Sequence, residues 1–261
     1  MSDNVTRVIK IIEYLATSQD WVSLRTMARD LDINTAAVYR VLNSLKESGY
    51  VQKHPVDSRY QLTLKIAWVS AQVLEKLQLR QVAHPFMERL TSLTNETTHL
   101  AILDGNEFVY IDKVDNKQAM RMRSRVGQRG QLHSTAVGKS LLAFLPEDEL
   151  PKFLAHLTFQ PVTNNTITDK NILLAQLEQI RRLGYATDDE ENEIGIRCIG
   201  SPIFDHTGRL VGALSISGWT ITMTPERIPQ LALELIETSQ EISRELGYNN
   251  EKSNGFSKTP L

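Results

Sequence analysis

From Val5 to Leu62 the apolar residues keep a helical period through three short segments and then switch to a period of two. Val5, Val8, Ile12 and Leu15 share one helical stripe, widened by Ile9 and Ile11. Leu24, Met27, Ala28 and Leu31 share a second, entered through Ser23 as a cap. Val38, Val41, Leu42 and Leu45 share a third, with Asn34 as its cap and Gly49 as its stop. Asp32-Ile33-Asn34 makes the connection between the second and third segments a tight turn. Tyr50–Lys53 and Arg59–Leu62 then alternate about His54-Pro-Val-Asp-Ser58, a hairpin pattern. Three helices with a tight turn between the last two, followed by a hairpin, predict a winged helix-turn-helix over residues 1–62.

Burying the third stripe leaves Thr35, Ala36, Tyr39, Arg40 and Asn43 outward. In the major groove a guanidinium pairs with guanine and a carboxamide with adenine, while a phenol hydroxyl reaches phosphate. Lys53 and Arg59 in the hairpin are placed to grip backbone phosphates. A small helical bundle with an ordinary charged surface is the competing reading. Charge leans toward DNA: residues 1–65 carry nine basic against seven acidic side chains, and the remainder 20 against 24, for a net charge of −2 over 261 residues. The first residues are charged throughout, which predicts neither a signal peptide nor a membrane span. The single cysteine, Cys198, excludes an internal disulfide and suits a reducing cytoplasm.

Beyond the hairpin the pattern becomes α/β of the α+β kind. Residues 63–79 read as one helix, apolar on more than one side, and residues 82–97 as another. THLAIL and EFVYIDKV read as strands about Asp104-Gly105-Asn106, and AMRMRSRV (119–126) as a further strand. Helices are expected from Ser134 or Thr135 to Pro146, near 147–157, and at 169–183 with Gly184 as stop. Ile196–Phe204 and Arg209–Ser217 read as paired strands and 225–246 as a closing helix. From residue 248 the chain lacks core side chains and reads as a disordered tail.

The stretch HSTAVGKSLL (133–142) ends a phosphate-loop pattern without beginning one. With Gly138 as the second glycine of Gly-x-x-x-x-Gly-Lys-Ser, the first position is His133, so the backbone cannot wrap a phosphate and no nucleotide site is expected. What remains is a helix start whose first amides, at Ala136 and Val137, face an anion or are consumed by their own cap.

If the turn between the last two strands centres on His206-Thr207, Cys198 lies opposite Ser215, Gly200 opposite Ala213 and Ile196 opposite Ser217. Alternation then collects Cys198, Gly200, Pro202, Ala213, Ser215 and Ser217 on one face and Ile199, Ile203, Leu214 and Ile216 on the other. The second face suits packing on helices. The first, small and hydroxyl-bearing, suits a cavity for a small polar ligand.

Several stretches together resemble the IclR family of bacterial transcriptional regulators: Ala37-Val-Tyr-Arg-Val-Leu, Leu132-His-Ser-Thr-Ala-Val-Gly-Lys, Gly195-Ile-Arg-Cys-Ile and Leu214-Ser-Ile-Ser-Gly. Glu96-Thr-Thr-His-Leu and Arg121-Met-Arg-Ser-Arg-Val-Gly are similar to the KdgR-like branch of pectin-degradation repressors. The resemblance runs from Val5 to about Gly247. It implies a winged helix-turn-helix over 1–62, a linker helix over 63–80, a GAF-like effector-binding domain over 81–247, and a homodimer or homotetramer. The family often has Ser-Thr where this chain has Ala36 and Ala37, so the DNA-facing set becomes Thr35, Ala36, Ala37, Tyr39, Arg40 and Asn43, with Lys53 and Arg59. The implied effector set is Met122, Ala136, Val137, Asp188, Cys198, Ser215 and Ser217. In it the amides of Ala136 and Val137 meet a ligand carboxylate, Ser215 and Ser217 donate to its oxygens, and Asp188 accepts from a ligand hydroxyl. Relatives often have Gly or Ala in place of Val137, which implies a narrower pocket here.

The expected partners are an operator in double-stranded DNA, a small carboxylate or sugar acid such as 2-keto-3-deoxygluconate, and further copies of the chain. No cofactor, metal or membrane is expected. The six histidines lack the close pairing of a metal motif. Asp188–Glu191 reads as a solvated acidic loop, and Arg121, Arg123 and Arg125 as one face of a strand. Two rival readings remain. One is a hydrolase or lyase using Cys198, with the head as an accessory module. The other is a sensor or oligomerisation module without DNA contact.

Overall fold

The computed structural model describes residues 3–74, 78–116 and 123–249. The chain divides into two compact units, residues 1–76 and 77–261.

The first unit runs α1 (Asp3–Thr17), α2 (Leu24–Asp30), α3 (Thr35–Glu47), β1 (Val51–Lys53), β2 (Tyr60–Leu62) and α4 (Lys65–Leu74). The caps form as expected: Ser23 Oγ accepts from the Thr26 amide at 3.1 Å, and Asn34 Oδ1 from the Ala36 amide at 2.9 Å. At the end of α3 the Gly49 amide donates to Lys46 O and the Tyr50 amide to Leu45 O, which turns the chain into the hairpin. Val22 exchanges two backbone hydrogen bonds with Tyr60 and ties the entry of α2 to β2. Ile11, Met27, Val38 and Leu42 are fully buried between the helices.

Two expectations are corrected here. Val5 is 65% exposed and Ile9 50%, so the inward edge of α1 is Val8, Ile11, Ile12 and Leu15 instead of a stripe from Val5. Ala37 is buried, at 8% exposure, so its side chain is not on the outward side of α3 with Thr35, Ala36, Tyr39 and Arg40. Its place one turn before Val41 and Leu42 decides that.

The second unit begins with α5 (Gln78–Thr94), so the helix read as 63–79 ends at Leu74 within the described residues, and Leu79 belongs to the next one. There follow β3 (Thr97–Asp104), β4 (Glu107–Val114), β5 (Arg129–Gly130), α6 (Ala136–Ala143), α7 (Leu150–His156), α8 (Lys170–Leu183), β6 (Ala186–Asp189), β7 (Ile196–Phe204), β8 (Leu210–Trp219) and α9 (Ile228–Glu245). The strands form one antiparallel sheet in the order β5-β4-β3-β8-β7-β6. Helices α5 and α9 pack together on one face, and α6 with α7 and α8 on the other. Ile199, Ile203, Leu214 and Ile216 are fully buried, as alternation requires. Among the described residues no helix is long and apolar enough to cross a membrane. Met120, Arg121 and Met122 lie outside the described residues, as does the chain from 250. Arg123–Val126 is turn and coil, not the strand expected there, and α6 stops at Ala143, short of Pro146.

The register of β7 and β8 differs from expectation by two residues: Cys198 pairs with Ser217, Gly200 with Ser215 and Ile196 with Trp219. The turn is one residue longer than assumed, with Asp205 accepting from the amides of Thr207 and Arg209. A bulge between Ile203 and Phe204 adds the second residue. A slip of two preserves every side chain's face, so the small hydroxyl-bearing face survives.

Leu42 sits at the centre of the first unit's core. We expect Leu42→Ala to lower that unit's stability by about 2–5 kcal/mol, read by urea denaturation.

Candidate functional site

The site is built where α6 meets the sheet. Thr135 caps the helix, its Oγ accepting from the Gly138 amide at 3.2 Å. That cap leaves the amides of Ala136 and Val137 without a hydrogen-bond partner among the described residues. Both residues are buried against β7 at Gly200. A Cβ on Gly200 would stand 2.7 Å from Ala136 C and O and 3.0 Å from Val137 N, so only glycine admits the helix start this close to the strand.

A cavity of about 690 Å³, counting the space at its mouth, opens at that junction. Ala136, Val137, Asp188, Cys198, Ser215 and Ser217 all line it. Met122, the seventh residue of the expected set, lies outside the described residues. Pro202 and Ala213 do not line it, and Gly200 serves as its contact with the helix. Ser215 is 2% exposed, yet its hydroxyl has no hydrogen-bond partner among the described residues. Such a group is costly to bury unless something occupies the cavity beside it.

Residues outside the expected set also line this cavity, among them His99, which the sequence reads as core or surface by default and as a pocket residue in the alternative. His99 lines it from β3, with Nε2 2.7 Å from Ser124 Oγ and Nδ1 3.4 Å from Ser217 Oγ. Burial, with the charge of Lys113 adding to it, lowers the His99 pKa to about 3, so the ring is neutral and donates from one nitrogen only. Tyr110 lines it from β4, its hydroxyl likewise without a partner among the described residues and its pKa raised by burial and by Cys198 and Asp188. Arg123 stands at its margin, exposed. The signal for the first two was the inward alternation of β3 and β4, which brings His99 opposite Ser215.

Asp188 is not in a solvated loop. It belongs to β6, paired with Cys198, and is 3% exposed. Its Oδ1 accepts from the amides of Glu191 and Asn192 at 2.8 and 3.3 Å, folding the acidic run back on itself. Burial first, then the Glu191 charge, raise its pKa to about 7. Burial also raises the Cys198 thiol, and the Asp188 charge adds to it, so the thiolate that nucleophilic chemistry needs is disfavoured.

In the first unit Thr35, Ala36, Tyr39 and Arg40 are exposed along α3, with Asn43 half-buried. Lys53 is exposed on β1. Arg59 is held by Asp57 at 2.6 Å, so it is the one member of the set already paired with a carboxylate.

Comparison with known proteins decides the family. Residues 4–55 match the IclR helix-turn-helix domain, and residues 71–244 the C-terminal domain of the bacterial transcriptional regulator IclR. The chain belongs to the IclR family. It is 36% identical over 250 residues to the HTH-type transcriptional regulator KdgR of Escherichia coli K12, covering 95% of each chain. It is 35% identical over 241 residues to the HTH-type transcriptional repressor AllR of the same organism, covering 92% of this chain and 89% of that one. The crystal structure of the Thermotoga maritima IclR superposes with a TM-score of 0.81 at 40% identity, covering 95% of this chain and all of that one. This IclR-family protein is therefore a transcriptional regulator and not an enzyme.

The Gly-Lys-Ser of this IclR-family chain is explained without a nucleotide. A Cβ on Gly138 would stand 2.5 Å from Leu132 Cα and O, so the glycine lets the preceding segment lie against α6. Lys139 is fully buried and pairs with Glu191 at 2.5 Å, with Gln176 Oε1 at 3.0 Å. Thr166 donates to Glu191 O at 2.6 Å and fastens the same loop from another side. The pair thus joins the two walls of the cavity, the start of α6 and the loop after Asp188. Among the described residues no metal-binding cluster of His, Cys, Asp or Glu exists.

Two outcomes follow. Lys139→Met leaves Glu191 buried and unpaired and is expected to cost about 3–5 kcal/mol, while Lys139→Met with Glu191→Met returns to within about 1 kcal/mol of wild type, both measured by denaturant titration. Asp188 has a folded pKa of about 7, above its unfolded value. Its contribution to stability is therefore complete below the unfolded pKa and is lost as pH rises through about 7. Asp188→Asn escapes that loss, so its Tm relative to wild type should be higher at pH 8 than at pH 5; a pH-independent difference would contradict the assignment.

Proposed function

We propose that this protein is a ligand-responsive repressor of genes for sugar-acid catabolism, acting in the cytoplasm as a homodimer or homotetramer. Its effector is a small carboxylate with a hydroxyl or keto group, of the 2-keto-3-deoxygluconate type. The observation that carries the reading is the convergence of unpartnered donors, the Ala136 and Val137 amides and the Ser215 hydroxyl, in one cavity with Asp188. Amides at a helix start favour a carboxylate. Asp188 supplies an acceptor for a ligand hydroxyl, and its partial protonation near neutral pH moderates repulsion of the anion. The similarity to KdgR supports the sugar-acid class, and that to AllR supports repression.

DNA reading is assigned to α3, with Arg40 on guanine, Asn43 on adenine, Thr35 and Tyr39 on the backbone, Ala36 in apolar contact, and Lys53 and Arg59 as wing contacts. Two half-sites call for at least a dimer. Exposed Val5, Ile9, Leu64 and Trp68 give the first unit apolar surface for a second copy.

The test combines a thermal-shift panel of sugar acids and keto acids with gel shifts on the gene's own upstream DNA. An effector raises the Tm of the wild type by mass action and changes retardation. Ser215→Ala should lose both responses while binding the DNA unchanged without ligand. If Ser215→Ala alters DNA binding in the absence of any ligand, the division of labour between the two units is wrong.

A further inference from the structure

β4 changes face part-way along its length. Leu100 pairs with Asp112 and Ala101 with Tyr110, so Ile111 is an extra residue in the ladder between β3 and β4. Asp112 and Tyr110 are two apart and would share a face in a regular strand. The bulge sends them to opposite faces. Asp112 turns to α5, where His84 Nδ1 lies 2.7 Å from its Oδ2, and Tyr110 turns into the cavity. The Tyr110 ring is held by its neighbours: Phe108 meets it edge to face at 4.9 Å between centroids, and His99 lies tilted against it at 4.8 Å. Its backbone is held as well, the amide donating to Gln128 O at 3.0 Å and the carbonyl accepting from the Gly127 amide at 2.8 Å. The hydroxyl alone is left over, with no hydrogen-bond partner among the described residues. Burial first, then Cys198 and Asp188, hold its pKa above the usual phenol value, so it keeps its proton and remains a donor. Cys198 and Asp188 belong to β7 and β6, so the hydroxyl points back across the cavity and not out of it.

We propose that Tyr110 is a specificity-determining residue: its hydroxyl donates to an oxygen that the effector carries along its chain beyond the carboxylate, so that the cavity selects a long, oxygenated acid over a short or unsubstituted one. The proposal rests on the effector reading above and deepens it. In that reading the carboxylate lies at the start of α6, which packs on β7 at Gly200. β4 is three strands from β7 in the sheet, about 14 Å along it at ordinary strand spacing. A short acid such as pyruvate, held at the amides, ends before it meets the phenol, whereas a longer chain crosses β8 and β3 and reaches it. An apolar chain of that length would leave the phenol desolvated and unpaired, and an oxygen at that point satisfies it. The hydroxyls of a sugar acid supply such oxygens.

The experiment is isothermal titration calorimetry of the full chain with two acids of equal length, 2-keto-3-deoxygluconate and 2-ketohexanoate. Both have a carboxylate and a neighbouring keto group, and only the first carries oxygens further along. Wild type is expected to bind the first about tenfold more tightly, the worth of one well-made hydrogen bond. Tyr110→Phe keeps the ring and its packing on Phe108 and His99. It should weaken the first acid about tenfold and leave the second within about twofold of wild type, with the ligand-free Tm unchanged. Ser215→Ala, at the carboxylate end, should weaken both acids alike. Equal losses on the two acids with Tyr110→Phe, or no loss on either, overturn the proposal. So does a wild type that binds the two acids equally, a result that leaves the carboxylate reading standing. A wild type that binds neither acid is a different result, seen before any substitution is made. It removes the effector reading and this proposal with it.

Discussion

The start of α6 reaches the sheet because residue 200 has no side chain. Gly200 brings the backbone of Ala136 and Val137 against β7, and that contact sets the floor of the cavity. Everything else at the site is arranged around it. Thr135 consumes the Gly138 amide and leaves the two before it open. The pairing of β7 with β8 puts Ser215 across from Gly200, and the pairing of β8 with β3 puts His99 across from Ser215. A larger residue at 200 would lift the helix and separate the amides from the serines, since an anion must meet both within hydrogen-bond distance. The cavity is therefore a consequence of one missing Cβ and of register.

The buried Lys139–Glu191 pair contributes geometry more than stability. Glu191 Oε2 is buried with no hydrogen-bond partner among the described residues, so the pair does not recover the full cost of removing two charges from water. A Met at each position would fill similar volume without that cost. What the ion pair supplies is a short, directional link between α6 and the loop that carries Asp188 into the cavity. The Lys139 charge also opposes the rise in the Asp188 and Cys198 pKa values, which is a measure of its reach into the site.

Local chemistry made most of the fold legible. Ser23, Asn34 and Gly49 marked the helix ends in the first unit, and Gly184 closed α8, because caps and stops are short-range requirements. The alternation of β7 and β8 gave the correct faces even though the register was off by two, since the period of a strand forgives an even error. The failures were long-range. Nothing near Asp188 in the chain announces that Lys139 lies behind the acidic run, so the run read as solvated. Nothing near Ala37 announces that it is buried. His99 and Tyr110 entered the cavity through pairings of β3 and β4, which a single strand does not specify. The helix start pointed to Ala136 and Val137 and strand alternation to Cys198, Ser215 and Ser217, whereas Met122 and Asp188 came from resemblance alone.

The donor and acceptor inventory narrows the effectors this cavity accepts. Two amides and Ser215 offer hydrogens, while His99 is neutral and already engaged with two serines. Asp188 offers lone pairs, or a proton once it is neutral. An apolar ligand would leave these groups desolvated and unpaired, a loss of about 1–3 kcal/mol for each. A second negative charge deep in the site would face Asp188 and Glu193, with the cations of the lining being Arg123 and Arg129, the latter paired with Asp104 and Glu107. The best match is a monoanion, its carboxylate at the helix start and a hydroxyl or keto oxygen directed at β6. Whatever such a ligand does to operator affinity, the operator must do in return to ligand affinity by the same factor. The cavity's selectivity and the regulator's response are then one free energy observed from two sites.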